Sequence, residues 1–219
     1  MAGGIASALY QQFDEVEHVG IDFGALPQTY DSPFCHSADW GLEGLISKYS
    51  EQNLPSQPQE VVIDSQHFEA IAIHGGQDEL THIDSGRTTS IDYRMLSYQG
   101  FSARLNVVLN DLNLKEEPAL LKSVLSKTVT KTKSDNIWLA VRLTGTKDGQ
   151  PHQERYQKGL GPQVIDGMTW SATQFATAAG LSAVLYEVLS KDKLQGYVAQ
   201  EALDWSSIQQ NPFGCFFKE

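Results

Sequence analysis

The segment 136–157, NIWLAVRLTGTKDGQPHQERYQ, constrains this chain more than any other. Its apolar residues alternate up to Asp148-Gly149, a pair suited to the positive φ angles of a type I′ turn, and so predict an antiparallel hairpin. Val19, Ile21 and Phe23 alternate with Gly20 and Asp22, which predicts a half-buried strand. VVID and FEAIAIH, joined at the polar Asp64–Gln66, predict a second hairpin, and Ile91, Tyr93 and Met95 alternate in a strand that ends near Gly100. Helical spacing is carried by Ile5, Leu9 and Phe13, by Leu42, Leu45, Ile46 and Tyr49, and by Leu105, Val108, Leu109 and Leu112. Pro118 with Leu121, Val124 and Leu125 starts another helix. A long helix near 171–190 places Ala172, Ala176, Ala179, Gly180 and Ala183 where another backbone can approach closely. Five or six strands interspersed with four or five helices predict an α/β (α+β) fold, a mixed β-sheet with helices packed on it.

The chain has 219 residues and 24.2 kDa, enough for one large domain. No repeat or long linker divides it: NLPSQPQ, which ends the helix at Tyr49, is an ordinary loop, so residues 1–219 are expected to form a single domain. The net charge of −11 is uneven, because residues 1–104 hold 15 carboxylates against Lys48, Arg87, Arg94 and Arg104, while the rest is balanced. An acidic first half argues against nucleic acid, which needs clustered Lys and Arg, and against an anionic membrane surface. Cys35 and Cys215 form no CxxC or zinc spacing, so a reducing cytoplasm is the expected compartment. The N-terminus has no basic n-region and reads as a helix rather than a signal peptide. The most apolar stretch, Ser171 to Leu189, is interrupted by Gln174, Tyr186 and Glu187 and reads as a buried helix, not a membrane span.

Chemistry-bearing motifs are few. No GxGxxG stands between a strand and a helix; Gly159-Leu-Gly161-Pro lacks the third glycine and follows a hairpin strand. No GxxxxGK[ST] is present, so no nucleotide phosphate site of the usual kind is expected. Gly180-Leu-Ser182 falls inside a helix, where Ser182 reads as a small core residue rather than a nucleophile. His67, His74 and His82, with Asp78 between the last two, lack the close pairing of zinc ligands, and no metal site is predicted from them. Cys35 and His36 are sequence neighbours whose side chains diverge in a strand. Three polar-aromatic turns remain: Gly24-Ala-Leu-Pro27, Asp39-Trp40-Gly41 and Tyr98-Gln-Gly100-Phe101. Each stands at a predicted strand end, where α/β sheets bind ligands.

Several stretches, in order, resemble the C-terminal domain of the saccharopine dehydrogenase family. Gly4-Ile5-Ala-Ser-Ala-Leu9 resembles the helix that opens it, and Gly24-Ala-Leu-Pro27 its GGLP-type strand end. Asp39-Trp40-Gly41-Leu-Glu-Gly44-Leu45 is similar to its SWS-x-x-GL segment, and Met95-Leu-Ser97-Tyr98-Gln-Gly100-Phe101 to TLRYxGF. Trp170-Ser171-Ala172 with Thr177 resembles the start of its small-residue helix. Gly196-Tyr-Val198 through Gln200-Glu201 and Asn211-Pro-Phe-Gly214 resemble its closing GxVxxE…NPFG tail. The resemblance implies a GAPDH-like C-terminal domain that walls the substrate site and usually forms the homodimer interface. It implies NAD(P)-dependent hydride transfer at a carbon–nitrogen bond of an amino-acid or polyamine conjugate. The NAD(P) is held by an N-terminal Rossmann domain that this chain does not contain, so no cofactor is expected on the chain itself.

By the same resemblance the substrate-binding residues are Trp40, Ser97, Tyr98, Gly100 and Phe101. Ser97 stands where the family has a carboxylate-binding arginine, and a hydroxyl offers one donor and no charge. Arg94 is an odd offset from Ser97 and falls on the opposite face of an extended strand, while Arg104 reaches back only if its helix turns that way. A tricarboxylate such as saccharopine is thereby disfavoured against a less acidic or cationic ligand. The alternatives are a non-catalytic binding module of the same fold and, on histidine count alone, a metal-dependent hydrolase.

Overall fold

The computed structural model describes residues 2–29, 58–72, 90–128, 132–190, 196, 198 and 203–218. The helix predicted around Leu42 to Tyr49 lies outside the described residues. Six strands form one sheet: β1 (Glu15–Pro27), β2 (Gln59–Ile63), β3 (Gln66–Ala72), β4 (Ser90–Ser97), β5 (Asp135–Lys147) and β6 (Gln150–Leu160). Their order is β2-β3-β4-β1-β5-β6, with β1 and β4 parallel and every other neighbouring pair antiparallel. The fold is mixed α+β, as the interspersed pattern predicts.

Turn chemistry sets the hairpins. Asp148 and Gly149 have φ of 52° and 70°, and Asp64 and Ser65 have 48° and 65°, both the left-handed pairs that a two-residue hairpin needs. A third such turn, Asp166-Gly167, joins β7 (Gln163–Ile165) to β8 (Met168–Trp170) in a separate two-stranded sheet. The sequence pattern does not predict this hairpin, because arms of three residues are too short for alternation to register. In β1 the register slips between Val16 and His18, a bulge that brings Val16, Val19 and Ile21 to one face.

Helices cover the outer face of the sheet. α1 (Ala2–Tyr10), α4 (Ala172–Ser190) and α5 (Trp205–Gln210) pack on Val16, Val19, Ile21, Val141, Leu143 and Tyr156. The small residues Ala172, Ala176, Ala179 and Ala183 of α4 are buried in this layer, as close approach requires. α4 starts with a capping box: the Ser171 hydroxyl accepts from the Gln174 N–H at 3.1 Å, and the Gln174 side chain accepts from the Ser171 N–H at 3.2 Å. Asp135 of β5 accepts from the N–H groups of Ala172 and Thr173 at 2.6 and 3.1 Å, so the sheet itself satisfies the helix end.

A second layer holds α2 (Phe101–Asn106), which runs on through a π turn at Val107–Asp111, and α3 (Pro118–Thr128). Phe101, Leu105, Leu109, Leu121 and Leu125 bury against Ile71 of β3. The π turn adds a residue to the helical repeat, and Leu112, predicted on the same stripe, ends up exposed.

The inner face departs from the expectation of a half-buried β1. The rings of Phe68 on β3 and Trp138 on β5 lie 5.3 Å apart, although β4 and β1 run between their strands. Three strand spacings across a flat sheet would be about 14 Å, so the sheet curls into a trough. Arg155 of β6 donates to the Val62 carbonyl of β2 at 2.6 Å, tying the two edges together. Curling closes the face that Gly20 and Asp22 share, and Asp22 is buried rather than solvated. No helix among the described residues is long and apolar enough to cross a membrane.

Candidate functional site in the curled sheet

The trough changes character along its length. At the Pro27 end of β1 it is apolar: Leu26, Ile63, Phe68, Ala70, Leu96, Tyr98 and Ala140 pack together with Trp138 against them. Trp138 lies over its cross-strand partner Gly159, where a Cβ would stand 2.6 Å from the ring, so only glycine admits the indole. The indole N–H of Trp138 is buried and has no hydrogen-bond partner among the described residues.

Mid-trough, Arg94 donates to both carboxylate oxygens of Asp22, at 2.6 and 2.9 Å, and also to the side-chain oxygen of Gln59. The two residues are 4% and 3% exposed. Buried charges persist only when paired, and a guanidinium fork matches a carboxylate with two bonds. This pair closes on itself and leaves no free charge.

The far end is polar and cationic. On the inner face Gly20 of β1 stands between Asp92 of β4 and Arg142 of β5, and Arg142 stands opposite Arg155 of β6. His18 contacts the Ser90 hydroxyl through Nδ1 at 2.8 Å, and its Nε2 lies 3.7 Å from the Asp92 carboxylate. The guanidinium of Arg142 lies over Gly20, with Nη2 3.3 Å from where a Cβ would be.

The sequence-predicted site residues divide. Trp40 lies outside the described residues, as do Cys35, His36, His74, Asp78 and His82. Tyr98 faces the trough, and its hydroxyl donates to the Pro27 carbonyl at 2.8 Å, which joins two of the polar-aromatic turns. Ser97 points to the outer side and is fully buried. Gly100 takes a left-handed φ of 83°, and the Glu69 carboxylate accepts from its N–H at 2.5 Å and from that of Ser102 at 3.0 Å. Phe101 is in the helical layer. Thus the segment builds a strand-to-helix turn and sends one side chain, Tyr98, into the trough. Arg94 is opposite Ser97 as predicted and is committed to Asp22, whereas Arg104 turns back over Gly100.

Sequence reasoning missed Asp22, Trp138, Arg142 and Arg155 as inner-face residues. A signal existed: Arg142 interrupts an apolar strand that has hydrophobic residues on both faces. His67 contacts Glu60 at 2.7 Å, and among the described residues no three metal-ligating side chains converge. Gly20 and Gly24 lie within a strand rather than on a strand-to-helix turn, so they make no cradle for a dinucleotide. Among the described residues, cavities of about 520 Å³ between α1, β6 and α5 and about 350 Å³ between α1, α4 and α5 lie outside the sheet, and neither of these holds a sequence-predicted site residue.

No family model and no curated protein match the chain. Among solved structures it is similar to apo saccharopine dehydrogenase (L-Glu forming) from Saccharomyces cerevisiae, with a TM-score of 0.65 over 95% of this chain and 67% of that one. Identity is 12%, so the likeness is one of fold. The chain has a mixed α+β fold consistent with that of the saccharopine dehydrogenase C-terminal domain.

Proposed function

We propose that this chain is the substrate-binding and dimerisation domain of a saccharopine-dehydrogenase-like oxidoreductase acting on a C–N bond of an amino-acid or polyamine conjugate. The observation that carries this reading is the fold likeness across 95% of the chain. The ordered run of similar segments from Gly4-Ile5 to Asn211-Pro-Phe-Gly214 supports it. In this reading a Rossmann domain outside the chain holds NAD(P), which supplies the hydride chemistry, and the enzyme works in the cytoplasm. The trough receives the small-molecule substrate, with Tyr98 lining it, and Trp40 is a substrate-binding residue by the family resemblance. Ser97, Gly100 and Phe101 form the turn that aims Tyr98 inward.

The dimer contact in this reading is the outer surface of α4 and the β7–β8 hairpin. Leu181, Leu185 and Leu189 recur every four residues on α4 and are 70%, 53% and 74% exposed. Val164, Ile165, Met168 and Trp170 are exposed on a two-stranded sheet, which is marginal in water without a surface against it.

A thermal-shift screen of amino acids, 2-oxo acids and polyamines tests the substrate role. The reading expects stabilisation by at least one member of these classes without added cofactor, and a flat response across all three classes counts against it. In the enzyme carrying both domains, Trp40→Ala should raise KM and leave cofactor affinity unchanged; equal loss of both would make Trp40 structural. A binding module without chemistry is the second reading, favoured by Ser97 in place of the family's arginine. Ligand binding with no turnover in the two-domain protein would select it.

A further inference from the structure

We propose that the indole N–H of Trp138 is the donor that holds an uncharged carbonyl oxygen of the ligand at the apolar end of the trough. Nε1 is buried and has no hydrogen-bond partner among the described residues. A donor kept from water without an acceptor costs free energy and brings the fold nothing in return, and native chains retain few of them. The Tyr98 hydroxyl at the same end shows the contrast, since it donates to the Pro27 carbonyl at 2.8 Å.

The strands set where this N–H lies. Trp138 has glycine as its register partner on both sides, Gly24 of β1 and Gly159 of β6. The indole leans over Gly159 through Cζ3, Cε3 and Cη2, all carbons of its six-membered ring. The five-membered ring that carries Nε1 is therefore turned away from Gly159. Trp138 as a whole is half-buried, so the ring borders the open trough although Nε1 itself does not meet water. A ligand gains the N–H by a small shift of the ring, and the indole has no hydrogen bond to break in making it.

The acceptor's chemistry follows from the walls. Leu26, Ile63, Phe68, Leu96 and Ala140 surround this end, and the buried cation of the inner face, Arg94, has its fork filled by Asp22. A carboxylate here would be a buried charge without a partner, which is far costlier than a neutral carbonyl with one good hydrogen bond. The group is thus a ketone or amide oxygen on an apolar body. The proposal rests on the reading that the trough receives the substrate, and names what its apolar end takes.

The test titrates three probes of one shape into the isotopically labelled chain: cyclopentanone, cyclopentane and sodium cyclopentanecarboxylate. The Trp138 indole N–H resonance is identified as the one missing from the Trp138→Phe spectrum. Cyclopentanone should move that resonance downfield and bind about five-fold more tightly than cyclopentane. In Trp138→Phe, which keeps an aromatic ring and loses the donor, the two should bind equally; a merely structural Trp138 would weaken both alike and leave their ratio unchanged. That unchanged ratio overturns the proposal. So does a wild-type indole resonance that cyclopentanone leaves in place or that cyclopentane moves as far, a readout that stands even if the variant fails to fold. A larger response to the carboxylate overturns the neutral-carbonyl assignment. Movement of the Tyr98 amide without the indole N–H removes this proposal and leaves the substrate-domain reading standing, whereas no movement anywhere in the trough removes both.

Discussion

The two faces of the sheet bury their surface in different ways. On the outer face Val16, Val19, Ile21, Val141 and Leu143 meet helices whose own contact residues are apolar. On the inner face the sheet buries an ion pair and an unpartnered indole N–H, and carries two arginines opposed in register, Arg142 half-buried and Arg155 exposed. Hydrophobic residues of similar volume are as stabilising as a buried ion pair, or more so, and stability alone does not call for charge there. The outer face is what folds the chain. The inner face violates the same local rules in the way that functional sites do.

Four substitutions press on that contrast. Arg94→Met should cost about 3–5 kcal/mol in urea unfolding, because Asp22 is left buried without its partner, and Asp22→Leu in the same chain should recover most of the loss. A single-variant loss below about 1 kcal/mol would mean that water reaches the inner face and that the trough is more open than its burial indicates. Leu143→Ala on the outer face should cost about 3 kcal/mol through cavity formation, with no partner substitution able to restore it. If α4 carries the proposed dimer contact, Leu185→Glu on its exposed stripe should leave monomer stability within about 0.5 kcal/mol of wild type and halve the particle mass in light scattering. Unchanged mass would remove α4 from the dimer contact.

Legibility in the sequence follows the same division. The β5–β6 hairpin could be read because alternation and the Asp148-Gly149 turn agree over a long stretch. The α4 helix could be read because its small residues recur at helical spacing. The β7–β8 hairpin has the same Asp-Gly turn but arms too short to show a period. Curvature is non-local: the hairpin register pairs Trp138 with Gly159, but Phe68, which meets the Trp138 ring across the trough, comes from β3, far away in the sequence. Asp22 therefore reads as a solvent-facing residue of a half-buried strand, although Arg94, 72 residues later, keeps it buried. For the site, the Tyr98-Gln-Gly100-Phe101 turn was visible as a motif. Which of its side chains faces the trough depends on strand parity, and that parity aims Tyr98 inward and Ser97 outward.

The most direct measurement is an amide and indole chemical-shift map, with the compound that gives the largest thermal shift titrated into the isotopically labelled chain. The account predicts the largest changes on the inner-face residues Gly20, Tyr98 and Arg142 and on the Trp138 indole N–H, with Leu181 and Leu189 unmoved. Changes confined to α4, the β7–β8 hairpin or the cavity between α1 and α5 would contradict it.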